Sequence, residues 1–474
     1  MKVAQAVGFL LALSPSASLA ATSTATPTVA GSELEAGSLA DDEDFAPEPD
    51  RPAAGSNDED EDRAIFIEAI ETAGNDKTER SVILRRLLVS VGDLLDDDKI
   101  DESRSRLLGT GYFKSAEFSL KRGSRRGRVV LVIEVEERNT ITLDGLYLGF
   151  SDVTPIFAGI GVSERNFLGR GVSVGLTGVA GQSRRALQLG IFAPDLSDTP
   201  LTLSAGMVLV RAAEPLDPAD PEAIELNYTR AGGTLGIGLG VGSAALVSLR
   251  YRLESVSAGR LPNLDPAIIR GAPSIQFDES VLSTLSLSFE RDTRDDPFVP
   301  SQGGRIALAV ELGSKVLASS YEFSKYTAEL ELGFNPVLAH SLRLRIIGGL
   351  IQGQTPFFNQ FFVRDYAHFD FGGDALPRVA EVNFSSFTDY DDLLLSAGAD
   401  YNIPIARGGD TIYRAFVFAG LNVAATASIN ELQEDASGRG AQGRVPVSFD
   451  LGLRLDTLVG QLTLSAGYVA DLFL

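Results

Sequence analysis

From about Asn139 to the C-terminus, apolar and polar residues alternate with a period of two. Leu235, Ile237, Leu239 and Val241 alternate with Gly236, Gly238, Gly240 and Gly242. Ile306, Leu308, Val310 and Leu312 alternate with Arg305, Ala307, Ala309 and Glu311. This period puts successive side chains on opposite faces of a strand. About fifteen such segments, each of roughly ten residues, are separated by turns rich in Gly, Pro and Asp. Strands of soluble sandwiches and propellers are shorter, about five or six residues. The pattern predicts a transmembrane antiparallel β-barrel over 139–474, of fifteen or sixteen strands, with one face towards lipid and the other towards the lumen. Closure is required because an open edge would leave backbone groups unpaired in hydrocarbon.

Before Asn139 the pattern is different. Ala64–Ile67 predicts a strand and Gly74-Asn75 a turn. A helix follows, with Thr78 as N-cap and Ile83, Leu84, Leu87 and Leu88 on one face. A second helix is predicted over Asp98–Leu108, with Ile100, Leu107 and Leu108 turned inward and Gly109 and Gly111 stopping it. Strands follow over Ala116–Lys121 and Arg128–Glu136. The order β-α-α-β-β over 63–138 is a small α+β domain. The fold class is therefore mostly β, a large barrel preceded by one α+β module.

Residues 1–20 read as a secretory signal. Lys2 supplies the positive start, Val3–Leu13 the apolar stretch, and Ser18-Leu19-Ala20 a small-residue cleavage site. Residues 21–62 carry thirteen Asp/Glu against the single Arg51 and too little apolar surface to order themselves, so they read as a disordered acidic linker. This segment supplies about half of the formal net charge of -23. The acidic balance argues against a nucleic-acid partner, which needs clustered Lys and Arg. The absence of Cys removes disulfides, thiolate metal sites and Cys-based catalysis. There is no Trp, so any aromatic girdle must use the 26 Phe and 11 Tyr.

Other chemistry is weak. Gly171-Val172-Ser173-Val174-Gly175 matches G-x-S-x-G but lies within an alternating strand, whereas a nucleophile elbow needs a strand, a sharp turn and a helix. His340 and His368 sit in separate turn or loop regions. Asp93 and Asp96-Asp97-Asp98 lack the spacing of a calcium loop and suit a solvated helix start. No catalytic constellation, cofactor site or metal site is indicated.

The segment GNDKTERSVILRRLLVSVGDLLDDDKIDESRSRLLGTGYFKSAEF resembles a POTRA (polypeptide-transport-associated) domain. Gly74-Asn75 with Thr78, Gly92-Asp93, Arg106-Leu107 and Gly111-Tyr112-Phe113 are its landmarks. Val135-Glu136-Glu137-Arg138-Asn139-Thr140 resembles the junction from a last POTRA domain into the barrel of the BamA superfamily of outer-membrane assembly factors, the bacterial surface antigen type. Ser163–Gly169 resembles the end of its second strand. Asp292-Thr293-Arg294-Asp295 with Pro297, Pro300 and Gly303-Gly304 resembles its approach to the ninth strand. Val363-Arg364-Asp365-Tyr366 resembles its VRGF/Y motif on the sixth extracellular loop, and Gly452, Arg454, Thr457 and Gly460 its last periplasmic turn.

The resemblance implies a non-enzymatic outer-membrane protein with its POTRA domain in the periplasm and no cofactor. It would assist insertion of barrel proteins or passage of polypeptide, using the POTRA edge strand and the barrel seam. Its partners would be outer-membrane lipid, unfolded outer-membrane or secreted polypeptides, and periplasmic accessory proteins. The alternative is a secretion transporter for one dedicated substrate. A passive channel would leave the POTRA domain unexplained.

Three departures stand out. There is one POTRA domain where bacterial assemblers often have several. The strand-thirteen acid of an F-x-D-x-G pattern is replaced by Phe418, so Arg364 must pair elsewhere, with Asp456 as candidate, or not at all. The strand count is odd. Either one of the earlier segments holds a further strand, or the barrel closes unusually, or the chain stops before a sixteenth strand.

Overall fold

The computed structural model describes residues 8–12 and 65–473, apart from 150–155, 195–198, 216–224, 243, 261–273, 297, 338, 362–389, 410, 429–443 and 458–459. The chain divides into two compact units, one spanning Thr24–Arg138 and the other Met1–Ser23 with Asn139–Leu474.

In the smaller unit the elements are β2 (Phe66–Ala73), α1 (Arg80–Leu84), α2 (Asp97–Gly109), β3 (Phe113–Arg122) and β4 (Arg128–Glu137). The sheet order is β2-β4-β3, with β2 parallel and β3 antiparallel to β4. The alternating side chains of β4 and one face of each helix form a single core that includes Ile67, Ile83, Leu107, Leu131 and Ile133.

Two local expectations are corrected. Thr78 is not the N-cap of the first helix; Glu79 holds that position, without a side-chain cap. The backbone N–H groups of Lys77 and Thr78 donate instead to the Glu137 carboxylate, at 3.0 and 2.6 Å for the closest oxygens. In the second helix Leu108 faces outward, 37% exposed, and Ser103 is fully buried beside Ile100 and Leu107. Ile100, Ser103 and Leu107 share the i, i+3, i+7 stripe, and Leu108 lies one step off it. Ser103 can be buried because its hydroxyl donates to the Lys99 carbonyl and accepts from the Leu88 N–H.

Glu137 gives a pH-dependent prediction. Burial raises its pKa, but the Thr78 hydroxyl, the Thr78 and Lys77 N–H donors and the Lys77 charge outweigh burial and hold it below the usual 4.5. A depressed carboxylate stabilises the fold above its unfolded value, and that stabilisation is lost as pH falls below about 4.5. Hydrogen exchange at the Lys77 and Thr78 amides of the full chain should therefore speed up over that range. Glu137→Gln should show the weaker protection at all pH values, a loss of roughly 1 kcal/mol for a largely solvated carboxylate. Unchanged exchange in the variant would refute this role.

The larger unit is an antiparallel sheet. From Asn139 the strands are β5 (Ile141–Gly149), β6 (Phe157–Phe167), β7 (Val172–Gly181), β8 (Arg184–Ala193), β9 (Leu201–Pro215), β10 (Glu225–Val241), β11 (Ala245–Ala258), β12 (Asp278–Asp292), β13 (Gly304–Gly313), β14 (Glu322–Phe334), β15 (Ser341–Gln354), β16 (Leu393–Arg407), β17 (Ile412–Ala427), β18 (Arg444–Thr457) and β19 (Gly460–Phe473). Each pairs with its sequence neighbours. The apolar face points outward: Leu235, Ile237, Leu239 and Val241 are all exposed, as are Ile306, Leu308 and Leu312. Arg305 faces inward and bridges Glu290 and Glu329, each at 2.8 Å.

The odd count is resolved by the N-terminus. Among the described residues fifteen strands run between Ile141 and Phe473, each antiparallel to the next, so β5 and β19 point the same way and cannot form an antiparallel pair with one another. The sixteenth place is taken by β1 (Gly8–Ala12), antiparallel to β19 with Leu10 opposite Ser465, and lying beside β5. This five-residue apolar strand comes from the stretch read above as the core of an export signal.

Candidate functional site

Three constellations organise the larger unit. The first lies inside the barrel at the rim far from Asn139, where the loop after β15 turns inward. Its first residues pass through Phe357, Phe358, Asn359 and Phe361, all buried. Phe357 packs edge-on to Tyr228 of β10 at 5.1 Å, and Phe358 stacks over the same ring at 6.2 Å. Phe361 rests on the wall beside Ile347, Ile351 and Leu394. The wall makes room by having glycine opposite; a Cβ at Gly349 would overlap the Phe361 ring.

Wall cations hold this stem. The Arg230 guanidinium lies 3.9 Å from the Phe358 ring centre, and Lys325 lies 4.9 Å from that of Phe361. Arg252 donates to the Asn359 side chain at 3.1 Å, and Lys325 to its carbonyl at 2.8 Å. The cations are balanced by Glu254, which accepts two bonds from Arg230 and one from Arg252, and by Glu311, which accepts from Arg252 and Thr284. Backbone bonds in both directions between Phe361 and Asp391 tie the outgoing and returning limbs of the loop together.

Val363, Arg364, Asp365 and Tyr366 begin two residues beyond Phe361 and lie outside the described residues. The stem that precedes them was missed in the sequence. Its one signal is three phenylalanines within five residues of a loop, where polar residues are the norm.

The second constellation is at the opposite rim, in the turn from β12 to β13. Arg294 donates to Asp292 and to Glu331 of β14, at 2.6 and 2.7 Å. Asp295 accepts from the Ser301 and Gln302 N–H groups. Gly303, at φ +82, sits where any side chain would strike the Thr293 carbonyl. The turn reaches β17 across the lumen: Phe298 and Val299 pack on Phe416, and Asp296 accepts from Arg414.

Arg414 also binds Asp456 at 2.6 Å. The structure therefore gives Asp456 a partner in Arg414. At the position of the missing strand-thirteen acid, Phe418 lies 4.0 Å beneath the Arg454 guanidinium, which donates to Asn402 and Asp400. An inward-facing acid is thus present one strand away, on β16, already engaged by Arg343 and Arg454.

The third constellation is the seam, where β1 lies between β19 and β5. The landmarks of the smaller unit are structural. Gly74, at φ +79, packs on the Val135 carbonyl; Asn75 donates to the Thr78 carbonyl at 2.9 Å; Gly111 has φ +73. Tyr112 and Phe113 are buried with their rings edge to face. Its outer strands are β3 and β2, and β2 is already bonded over Ile65–Ile67 by residues 92–95. Of the motifs set aside, Ser173 lies in β7 and bonds the Arg165 carbonyl, and His340 pairs with the Tyr401 hydroxyl at 2.8 Å. His368 lies outside the described residues.

A sequence model of the Omp85 superfamily domain matches residues 166–468. The chain belongs to the Omp85 superfamily. A POTRA model, described as the surface antigen variable number repeat, matches residues 65–138 of this Omp85-family chain. The outer membrane protein assembly factor BamA of Nitratidesulfovibrio vulgaris is 25% identical over 303 residues, 63% of this chain and 36% of that one. BamA of Neisseria meningitidis is 31% identical over 115 residues, 24% of this chain and 14% of that one. This Omp85-family chain thus spans little more than a third of the length of the first of these relatives.

Two solved structures share its fold. BamA from Haemophilus ducreyi lacking POTRA domains 1–3 covers 86% of this chain and 85% of its own, with TM-score 0.55 and 15% identity. CdiB from Escherichia coli covers 86% and 77%, with TM-score 0.59 and 10% identity. The Omp85-type barrel lies in an outer membrane, with the POTRA unit on the periplasmic side.

Proposed function

We propose that this barrel takes up an extended polypeptide at the β5–β19 seam and thereby assists insertion of β-barrel proteins into the outer membrane. The observation that carries the reading is β1, an apolar peptide from outside the barrel wall, paired with β19 and lying beside β5. The two edges run in the same direction, so an incoming strand of opposite direction can pair antiparallel with either. Unpaired edge groups in hydrocarbon are costly, and main-chain pairing satisfies them whatever the side-chain sequence. Export with removal of residues 1–20 forms part of the proposal, because it frees the seam for a client. The β3 edge of the POTRA sheet supplies a second strand-addition surface on the periplasmic side. No cofactor or enzymatic step is required.

The chain has no native Cys, so a probe can be placed without interference. A photoreactive residue at Leu464 in β19 or Leu143 in β5 should capture newly made outer-membrane barrel proteins, identified by mass spectrometry. The same probe at Leu287 in β12 should not. Depletion of the protein should lower the abundance of many barrel proteins. Capture and loss of one secreted polypeptide would replace this reading with a dedicated transporter. Equal yields at the seam and at Leu287 would end the seam mechanism.

A further inference from the structure

The smaller unit carries a charge feature that strand addition does not use. The β3–β4 hairpin reads Lys121-Arg122-Gly123-Ser124-Arg125-Arg126-Gly127-Arg128, five cations and no acid in eight residues, within a chain of net charge -23. All five cationic residues are exposed. Lys121 bridges Glu71 at 3.0 Å. Glu68 holds the turn by accepting from the Ser124 N–H at 2.8 Å. These two carboxylates leave most of the cationic charge unbalanced, and the backbone holds it in place. Gly123 and Arg128 are joined by a backbone bond, and Gly127 takes φ +78.

The position of the hairpin identifies its occupant. Because β2 is parallel to β4, it begins at the hairpin end: Phe66 is opposite Arg128, and its N–H donates to the Gly127 carbonyl at 2.8 Å. The chain before Phe66 is the acidic segment. Asp58-Glu59-Asp60-Glu61-Asp62 ends four residues before Phe66, and Asp41-Asp42-Glu43-Asp44 lies further back. Four extended residues reach about 13 Å, comparable to the screening length of ~8–10 Å at physiological salt. A tethered tract held this close has an effective concentration on the order of millimolar before any contact forms. The guanidinium groups offer paired donors that match carboxylate geometry.

We infer that the Lys121–Arg128 hairpin is the docking surface for the chain's own acidic tract, residues 41–62. The other end of β4, about 33 Å away at 3.3 Å per residue, leads to Asn139. The tract therefore docks at the end of the POTRA sheet remote from the chain's exit into the barrel. This inference does not depend on the seam.

The test uses the full chain in detergent, with Asp44→Cys and Arg126→Cys introduced together. Disulfide formation under mild oxidation should be at least ~10-fold faster at low salt than at ~0.5 M salt, because the contact is between charges. Converting Asp58, Glu59, Asp60, Glu61 and Asp62 to amides should slow it at low salt. Asp44→Cys paired with Lys77→Cys should stay slow in all conditions. A rate indifferent to salt and to the amide substitutions would reduce the contact to tether proximity and overturn the inference. So would a slow rate together with binding of the unsubstituted chain to vesicles of anionic phospholipid through Arg125 and Arg126, since the hairpin would then serve a membrane surface.

Discussion

Replacing Glu254 by alanine is expected to destabilise the barrel by about 3–5 kcal/mol, the usual cost of breaking a buried ion pair from one side. Glu254 is fully buried and accepts from both Arg230 and Arg252. Without it Arg230 loses its carboxylate partner in the lumen. Arg252 retains Glu311 and Asn359 and is less affected. The damage should therefore concentrate where Arg230 covers Phe358. On gels of membrane extract, the folded band should disappear at a temperature lower by on the order of 10 °C, compared at fixed heating time because such unfolding is irreversible. Glu254→Gln keeps an acceptor oxygen and the side-chain volume and should fall between the two. A wild-type profile for the alanine variant would show that the lumenal ion network is not what holds the loop stem.

Much of this architecture was legible in the sequence because lipid and lumen impose opposite demands on alternate residues. Leu235 to Val241 and Ile306 to Leu312 show that alternation directly, and Arg305 marks the inner face. The small domain was legible from helix spacing and turn glycines, with errors where a polar contact between residues apart in sequence took over. Ser103 takes the inward place because the Leu88 N–H needs an acceptor, and Thr78 is held from Glu137, 59 residues away. The lumenal constellations were hidden for the same reason on a larger scale. Arg252 meets Asn359 across 107 residues, and Arg414 meets Asp296 across 118. A period of two says that Arg252 and Arg414 face inward but not which loop returns to meet them. The strand that completes the sheet was hidden by its sequence position, in a segment whose composition reads as an export signal.

Phe361→Ala is expected to release the loop stem and open the lumen. The ring is fully buried against Ile347, Ile351 and Leu394. A Phe-to-Ala change at such a site costs about 3–5 kcal/mol, and here the ring's packing is what fastens a loop to a wall. Strands β14, β15 and β16 keep their ladders, so the barrel should persist and the loop should move. In planar bilayers the variant should conduct more than wild type, and cells carrying it should become sensitive to hydrophilic antibiotics that the intact envelope excludes.

The wall side provides the control. A side chain at Gly349 would occupy the place of the ring, so Gly349→Val should produce the same leak with Phe361 intact. Combining the two removes the clash that Gly349→Val creates, and the double variant should lose less than the single losses added together. Strict additivity would mean that the ring and the glycine do not share one space. The stem would then have to be held through Arg252, Lys325 and Asn359 alone.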